Sequence, residues 1–457
     1  MIRALCETIP RTAGLGTTLS ELPVSGEDAR LISEEVSGRD FGQIGLLSPP
    51  HDAAPGPGAF RPPLALYIHM PWCVRKCPYC DFNSHGAKGP IPEDAYVAAL
   101  LRDLDHELAY GLGKALNPRP LVSIFIGGGT PSLFSATAIA RLLTGIRQRL
   151  PVSDATEITL EANPGTADAA HFAAYREAGV NRLSLGVQSL DPDRLRDLGR
   201  IHGPEEARRA LRLARQAGFD NINLDLMFAL PHQDLAGARA DLSQVLELDP
   251  EHLSYYQLTL EPNTPFHAAP PPLPDEDESA EMLLQGLERL AAAGYRQYEV
   301  SAHARPGRRC RHNLNYWTFG DYLGIGAGAH GKLSDPVSGR VHRRAKPRHP
   351  AAYQEALGQQ PPTPMGPIGT TRALDKDDLV LEFAMNALRL TEGFELPLFR
   401  RMTGLDPAWL TAPLEDARLA GLVEVHDQRV RPSERGRWFL NDLIACFIPD
   451  QPPDGPR

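Results

Sequence analysis

The sequence predicts an α/β protein: an open, partial (β/α)6 barrel followed by a C-terminal winged-helix-like domain. Six short β-rich runs between residues 64 and 258 alternate with amphipathic helical stretches, as in parallel sheets with crossover helices. Six units fall short of the eight that close a full barrel, so we expect an open one. Beyond residue 371, helical stretches precede two short strand-like runs and a last helix, which is typical of a winged-helix-like domain.

Length and composition narrow the class of protein. The chain has 457 residues, enough for two or three domains, and no apolar run is long enough to span a membrane. The N terminus lacks the pattern of a secretion signal, and six cysteines in such a chain suit a reducing compartment. The net charge of −10 argues against broad nucleic-acid binding. We therefore expect a soluble, cytoplasmic protein without a transmembrane segment and without a nucleic-acid partner.

Residues 1–62 are predicted to form a disordered head. Prolines and glycines crowd the end of this segment and oppose both helix and sheet. A short helix is expected near Glu27–Glu35, and Cys6 is expected to be a free thiol.

Residues 63–260 are predicted to form the barrel. Amphipathic helices are expected at Tyr96–Leu112 and Pro204–Gly218, between strands that run in parallel. In such folds the ligand lies at the C-terminal ends of the strands, and polar or glycine-rich residues follow the first five of them. The predicted strands are Leu64–His69, Ser123–Ile126, Glu157–Ala162, Arg182–Val187, Asn221–Leu226 and His252–Leu258.

The loop after the first strand carries three cysteines in a C-x3-C-x2-C spacing: Cys73, Cys77 and Cys80. Spacings this tight let one loop present several thiolates to one iron–sulfur cluster. A cubane has four irons, so three thiolates leave one iron open to a small molecule. A zinc knuckle with His69 or His85 as fourth ligand is the alternative, although no second ligand pair follows downstream. A disulfide is disfavoured because three cysteines cannot all pair.

This loop resembles the cluster motif of the radical S-adenosylmethionine (radical SAM) superfamily. The resemblance covers about Leu64 to Phe447 and is narrowed by the flanking residues to the branch of oxygen-independent coproporphyrinogen III oxidases and HemW heme chaperones. It implies a [4Fe–4S] cluster whose open iron chelates SAM. The oxidases have a further cysteine two positions after the third, where this chain has Phe82, and the run Cys80–Asn83 is similar to HemW instead.

The resemblance also implies a set of SAM-binding residues at the strand ends. The run Gly127–Pro131 resembles the motif that holds the SAM amino group, and glycines allow close approach of the backbone. Arg200 matches the partner of the methionine carboxylate, which suits a guanidinium. Taken singly, each polar residue could instead cap the following helix. The full set is Tyr67, Gly128, Gly129, Thr130, Glu161, Gln188, Arg200 and Asp225.

Residues 261–370 are predicted to extend the barrel and to bind a tetrapyrrole. The run HNLNYW resembles a HemW motif associated with heme, and an imidazole can ligate iron while aromatic rings stack on the porphyrin. The alternative is that the aromatic residues fill the end of the barrel and the histidine only forms a hydrogen bond. The heme-binding candidates are His312, Asn313, Tyr316 and Trp317, with Cys310 and His330 as lesser ones.

The same region is rich in basic residues within an acidic chain, which predicts an anionic partner. Arginine binds carboxylates bidentately, and heme carries two propionates. RNA and an exposed, solvated loop are the alternatives. The basic residues are Arg305, Arg308, Arg309, Arg311, Lys332, Arg340, Arg343, Arg344, Lys346 and Arg348.

Residues 371–457 are predicted to form the winged-helix-like domain. Acidic residues outnumber basic ones there, which favours a cap on the barrel or a docking surface over binding in a DNA groove. The predicted helices are Asp377–Leu390, Pro397–Thr403, Ala412–Ala420 and Glu434–Cys446, with strands Leu422–His426 and Gln428–Arg431.

The sequence favours a heme chaperone that binds a [4Fe–4S] cluster, SAM and heme and passes heme to acceptor proteins such as respiratory enzymes. The alternative is an oxygen-independent coproporphyrinogen III oxidase, in which a radical formed from SAM removes hydrogen from two propionates with loss of CO2. Phe82 and HNLNYW favour the chaperone. A regulatory nucleic-acid-modifying protein is a third hypothesis, and the charge balance disfavours it. The sequence allows a homodimer and leaves the oligomeric state open.

Overall fold

A twelve-stranded mixed sheet forms the centre of the computed structural model, which describes residues 61–111, 119–166, 168–336, 338–358 and 368–449. Residues 1–60 of the predicted head, which was residues 1–62, lie outside the described residues, and so do Cys6 and the helix expected near Glu27–Glu35. The strands in chain order are β1 (Leu64–Met70), β2 (Leu121–Gly128), β3 (Glu157–Ala162), β4 (Arg182–Gln188), β5 (Ile222–Phe228), β6 (His252–Gln257), β7 (Arg296–Glu299), β8 (Ala302–Ala304), β9 (Asp321–Ile325), β10 (His330–Ser334), β11 (Val341–Ala345) and β12 (Thr370–Ala373).

The first six strands are parallel and lie side by side in chain order, as predicted. Strand β9 also runs parallel to β1, on its other side, and the remaining strands are antiparallel. The sheet order is β12-β11-β10-β9-β1-β2-β3-β4-β5-β6-β8-β7. The partial (β/α)6 barrel is therefore confirmed, and it continues into antiparallel strands at both edges.

Helices connect the parallel strands. In the helix 204–216, the buried residues Ala207, Ala210, Leu211 and Ala214 follow the 3.6-residue period of a helix with one face on the core. The helices are α1 (Glu93–His106), α2 (Ala136–Arg147), α3 (Ala169–Ala178), α4 (Pro192–Asp197), α5 (Pro204–Gln216), α6 (Leu235–Glu247), α7 (Pro265–Ala268), α8 (Glu276–Ala292), α9 (Arg311–Trp317), α10 (Pro350–Gly358), α11 (Lys376–Ala387), α12 (Leu396–Thr403), α13 (Thr411–Leu419), α14 (Glu434–Trp438) and α15 (Leu440–Ala445).

Alternating residues separate an apolar and a polar face of the parallel strands. On β3, Ile158 and Leu160 belong to the main hydrophobic core shared with the helices. Glu157, Thr159 and Glu161 alternate with them and therefore face the inside of the barrel. Polar groups on the inner face of β3 can orient a ligand held inside the barrel.

Several element bounds differ from the prediction. The first helix ends at His106 and continues as a π-helical turn, Glu107–Gly111, instead of running to Leu112. The last helix is two helices, because the backbone at Phe439 leaves the helical region with φ −109° and ψ 49°. Strands β9 to β12 were not predicted, since the basic residues of this region and the glycines between them also fit an exposed, solvated loop.

The C-terminal unit has its own core. Phe383 meets Phe394 and Phe399 edge to face, with ring centroids 4.9 and 5.1 Å apart. A three-stranded antiparallel sheet follows the helices, with strands β13 (Phe394–Glu395), β14 (Val423–His426) and β15 (Arg429–Pro432) in the order β13-β15-β14. This is the predicted winged-helix-like arrangement. Within the described part of the chain, no helix is both long and apolar enough to cross a membrane.

Candidate functional site

The three loop cysteines are half-buried, and two of them contact the hydroxyl of Ser84. The Sγ atom of Cys80 is 3.8 Å from Oγ of Ser84, and the thiol of Cys73 also interacts with Ser84. Cys77 lies on the other side, with its Sγ 3.6 Å from Nη1 of Arg200. A short parallel pairing of Trp72–Cys73 with His85–Gly86 closes the loop. The loop therefore presents all three thiols from one compact turn.

Burial raises the pKa of Cys73 and of Cys80 above that of an ordinary thiol. Hydrogen bonds from Thr130 and Ser84 oppose this effect at Cys73. These thiols are protonated near neutral pH, so a metal must displace their protons as it binds. Loading of the site is therefore expected to depend on pH.

His69 is not available as a zinc ligand. Its Nε2 donates to the carbonyl of Asn83 at 2.8 Å, so its Nδ1 accepts from the Tyr67 hydroxyl at 2.9 Å. Among the described residues, no three His, Cys, Asp or Glu side chains are grouped tightly enough to hold one metal ion. A cubane binds each thiolate through a different iron, so its ligands need not converge on a point. The arrangement fits a cluster better than a single zinc ion.

Asn83 anchors the cysteine loop to the segments that follow β9 and β11. Its Nδ2 donates to the carbonyls of Ala327 and Arg348, at 2.9 and 2.8 Å. These contacts span more than 240 positions of sequence. The loop is thus held between strand β1 and the segments that follow β9 and β11.

The glycine run lies against the cysteine loop. Gly129 donates its N–H to Met70 and Thr130 donates to Trp72, both at 2.7 Å. Gly128 has a positive φ of +115°, and a Cβ there would lie 2.6 Å from Cε1 of His69. The glycines are therefore needed for packing against the loop. The Thr130 side chain meanwhile reaches the thiol of Cys73.

Two half-buried carboxyl groups lie on β3 and β5. Glu161 accepts from the N–H of Gly128 at 3.0 Å, and Asp225 accepts from Nδ2 of Asn223 at 2.8 Å. Burial, followed by the nearby charge of Asp225, raises the pKa of Glu161 to about 7. Burial also raises the pKa of Asp225. A cationic ligand would relieve both desolvation and repulsion here.

Arg200 links this carboxyl region to the cysteine loop. Its Nη2 donates to the carbonyl of Gly186 at 2.7 Å, while its Nε is buried without a hydrogen-bond partner among the described residues. A cleft adjoins it and is also lined by Cys77, Thr130 and Asn163. A cation with a buried donor atom that lacks a partner favours an anionic group beside it. A cleft beside the open end of the cysteine loop is where that group would enter.

Gln188 is held in the left-handed region, with φ 70°, where a non-glycine residue is strained. Its Oε1 accepts from the hydroxyl of Tyr256 at 2.7 Å. The eight sequence-predicted SAM residues thus lie along the C-terminal ends of β1 to β5 and the turn that precedes α5. The residues present fit a [4Fe–4S] cluster on the thiols and SAM against Thr130, Glu161, Arg200 and Asp225.

The heme-binding candidates lie on α9, packed against β1 and β2, and three of the four are buried. His312 is 3% exposed, stacks on Phe125 with ring centroids 4.9 Å apart, and shares a 2.9 Å hydrogen bond between its Nδ1 and Oγ of Ser123. Tyr316 packs on Tyr322 at 4.2 Å, and Trp317 lies under the guanidinium of Arg389. This is the packing arrangement that the sequence left open as the alternative.

The ionisation of His312 and the positions of the other candidates complete the description of this region. Burial, followed by the charge of Arg182, lowers the pKa of His312 to about 3, so its ring is neutral; its Nε2 is buried without a partner among the described residues. Asn313 is half-buried on the same helix, and His330 is half-buried at the start of β10. Cys310 is buried and its Sγ lies 3.4 Å from Oε1 of Glu157.

Most of the basic residues of the region have acidic partners within the chain. Seven of the ten form ion pairs: Arg305 with Asp249, Arg308 with Asp220, Arg309 with Glu392, Lys332 with Asp321, Arg343 with Glu382, Arg344 with Glu107, and Lys346 with Asp103 and Glu107. The basic cluster is therefore largely neutralised by the fold. Local counting of charges missed this, because most of the partners lie on distant parts of the sequence; Asp321, 11 positions from Lys332, is the exception.

Sequence reasoning missed Ser84, Asn83 and Tyr256. Ser84 and Asn83 follow the third cysteine directly, and that proximity was the available signal. Tyr256 reaches Gln188 from a neighbouring strand, so only the sheet order places it in the site.

Two family profiles match separate segments of the chain. The radical SAM superfamily profile matches residues 67–242, and the HemN C-terminal domain profile matches residues 374–439. The solved structure of coproporphyrinogen III oxidase (HemN) from Escherichia coli, a radical SAM enzyme, matches with a TM-score of 0.71 and 24% identity, covering 85% of this chain and 90% of that one. At this identity the match establishes a shared fold.

Curated relatives are more similar in sequence. The chain is 49% identical over 387 residues to the heme chaperone HemW of Escherichia coli K12, which covers 85% of this chain and 98% of that protein. The HemW of Bacillus subtilis is 34% identical over 394 residues, covering 84% and 99%. Radical S-adenosyl methionine domain-containing protein 1 of mouse mitochondria is 40% identical over 407 residues, covering 86% and 89%.

Proposed function

The chain belongs to the HemW family of heme chaperones, and we propose that it binds heme and transfers it to acceptor proteins. The observation that carries this proposal is the identity to curated HemW proteins across almost their whole length. Phe82 also supports this proposal. The coproporphyrinogen III oxidases that the chain resembles have a fourth cysteine at this position, and this chain has phenylalanine instead.

We propose that Cys73, Cys77 and Cys80 hold a [4Fe–4S] cluster, which leaves one iron for SAM. The half-buried thiols and the hydrogen bonds of Ser84 and Thr130 support this assignment. When bound, the pair can supply one-electron chemistry at the open face of the cluster. The chain's own contribution is to hold the loop in place through His69 and Asn83.

The SAM assignment follows from the charges at the strand ends. Arg200 would pair with the methionine carboxylate, and Glu161 and Asp225 would take the ammonium or the ribose hydroxyls. Thr130 and the backbone of Gly128 and Gly129 would border the methionine end. Tyr67 is hydrogen-bonded to His69, and Gln188 is hydrogen-bonded to Tyr256. We propose that Tyr67 and Gln188 border the SAM site and position its other residues.

Heme is the cargo of this function. The sequence predicts that His312, Asn313, Tyr316 and Trp317 hold it, and the unpartnered Nε2 of His312 is a free ligand atom. Access would require the packed aromatic group around His312 to open. We keep this as one of two heme sites to be tested.

The partners follow from the function. The acceptors would be heme proteins, with respiratory enzymes as the first class to test, and we propose that transfer takes place in the cytoplasm. A homodimer is a further proposal. The winged-helix-like unit is the part we propose for docking of the acceptor.

Heme uptake and release by the full-length chain test the function. The protein with its cluster reconstituted is titrated with heme, freed of excess, and mixed with a heme-free acceptor, with and without SAM. We expect about one heme per chain and transfer faster than from serum albumin. No uptake, or release no faster than from albumin, contradicts the proposal.

A further inference from the structure

A second group of side chains with iron-ligating and anion-binding chemistry lies on the rim of the cysteine loop. We call it the rim patch, and it consists of Lys76, Phe82, His85, Arg348 and His349. Lys76 donates from Nζ to the carbonyl of Phe82 at 2.9 Å. The rings of His85 and His349 meet edge to face, with centroids 5.6 Å apart. Lys76 and Arg348 are both electrostatic neighbours of His85.

His85 is arranged as a metal-ligating histidine. The backbone of Arg348 hydrogen-bonds to its ring, while its Nε2 is buried without a hydrogen-bond partner among the described residues. Ligating histidines bind metal through one nitrogen while a backbone carbonyl or carboxylate holds the other. Burial, with His349 next, lowers the pKa of His85, so the ring is neutral at pH 7 and able to ligate. His349 is exposed, and an exposed side chain changes rotamer readily.

The other members supply an apolar surface and two cations. Phe82 is 42% exposed, although a large aromatic side chain is usually buried. Lys76 and Arg348 are exposed, and neither forms an ion pair with an acidic side chain in the part of the chain that the structure describes. They contrast with the basic residues of β10 and β11, most of which are paired within the fold. The chemistry of the patch matches a flat apolar ring with a central metal and two carboxylates.

We propose that heme docks on the rim patch, with His85 as axial ligand, Phe82 against the face of the macrocycle, and Lys76 and Arg348 on the propionates. The proposal rests on the proposed function and gives heme a place beside the cysteine loop instead of at the buried His312. His349 provides a second imidazole at the same place. Heme would then lie on the cysteine loop, which also holds the cluster. The hydrogen bond from Asn83 to the Arg348 carbonyl connects this loop to the rim patch, so binding of the cluster can affect binding of heme.

The test compares histidine variants of the full-length, cluster-reconstituted protein. The double variant His85→Ala/His349→Ala is compared with His312→Ala and with His426→Ala, which removes an exposed imidazole from β14. Iron and sulfide are measured before heme is added, because the backbone of His85 pairs with Trp72 in the loop. Heme binding is followed by difference absorbance, and axial ligation by resonance Raman spectroscopy. Imidazole is also added to His85→Gly.

We expect the double variant to bind heme about tenfold or more weakly and to lose the histidine-ligated spectrum, which imidazole restores in His85→Gly. His312→Ala and His426→Ala should keep the spectrum. If the double variant loses its cluster, the variant Arg348→Gln/His349→Ala tests the rim patch instead, because it leaves residues 73–85 unchanged. This variant should also bind heme about tenfold more weakly than the wild-type protein. Wild-type affinity and spectrum in these variants would overturn the rim patch while leaving the proposed function standing. No heme uptake by the wild-type protein removes both.

Discussion

Nη1 of Arg200 lies 3.6 Å from Sγ of Cys77, so the side chain assigned to the SAM carboxylate touches a side chain assigned to the cluster. The two residues are 123 positions apart in sequence. The contact places the cation at the edge of the cluster site, where an amino acid chelated by the open iron would present its carboxylate. Arg200 can thus act on both the thiolate and the ligand.

Removing this guanidinium is expected to weaken SAM binding more than cluster binding. Arg200→Gln should lower the affinity for SAM by about thirtyfold or more, because truncating one partner of a buried charge pair costs on the order of 2 kcal/mol. Arg200→Lys should recover only part of it, since lysine lacks the planar fork. Anaerobic calorimetric titration with SAM measures this. Arg196→Gln, at an exposed position on α4, is the control, and equal losses in both variants would contradict the assignment.

Substitution of any loop cysteine is expected to abolish the cluster. Cys73→Ala, Cys77→Ala and Cys80→Ala should each lose the broad visible absorbance and most of the bound iron and sulfide after reconstitution, because each supplies the ligand of one iron. Cys446→Ala, at a half-buried position near the C terminus, should reconstitute normally. Full iron and sulfide in a loop variant would show that its thiol is not a ligand.

The affinity for SAM is expected to depend on the ionisation of Glu161. The pKa of this carboxyl is raised to about 7, and an ammonium group binds the ionised form. Affinity should therefore rise with pH between 5.5 and 7 by up to about tenfold per unit, and level off above 7. Titrations across this range check the slope. Glu161→Gln should bind weakly and without this dependence, whereas a wild-type slope in that variant assigns the titration to another group.

Two glycine variants separate backbone strain from steric clash. Gly128 and Gly218 both have positive φ, but a Cβ would lie 2.6 Å from His69 at Gly128 and would meet nothing within 4 Å at Gly218. Gly218→Ala should cost about 1 kcal/mol of unfolding free energy, from strain alone. Gly128→Ala should cost clearly more and lower the cluster content, because it displaces His69. Denaturant unfolding and iron analysis measure both, and equal costs would mean that His69 moves aside freely.

Local patterns predicted the parallel half of the molecule well. The strands β1 to β6 are short runs rich in β-forming residues and are separated by helical stretches, so residue periodicity and turn residues are enough to find them. Strands β9 to β12 escaped prediction because their charged residues are paired with acids on other elements, such as Arg344 with Glu107 and Lys332 with Asp321. When a charged side chain pairs with a residue on another element, the sequence alone does not reveal the pair, and the residue is expected to be exposed to solvent.

The site shows the same division. The cysteine spacing and the residues at strand ends could be found in the sequence, since each lies beside a local signal. Contacts such as Asn83 with Ala327, or Gln188 with Tyr256, depend on the order of strands and on long-range packing. Exposure could not be predicted either: HNLNYW is buried, whereas Phe82 and His349 are exposed.

The most direct test of the heme-chaperone function is an anaerobic assay of cluster-reconstituted protein for turnover and for heme uptake. One portion receives coproporphyrinogen III, SAM and a low-potential reductant, and its products are examined for protoporphyrinogen and 5′-deoxyadenosine. The other portion is titrated with heme. Stoichiometric heme uptake without protoporphyrinogen is the predicted result. Catalytic formation of protoporphyrinogen would contradict it and make the chain an oxidase despite Phe82.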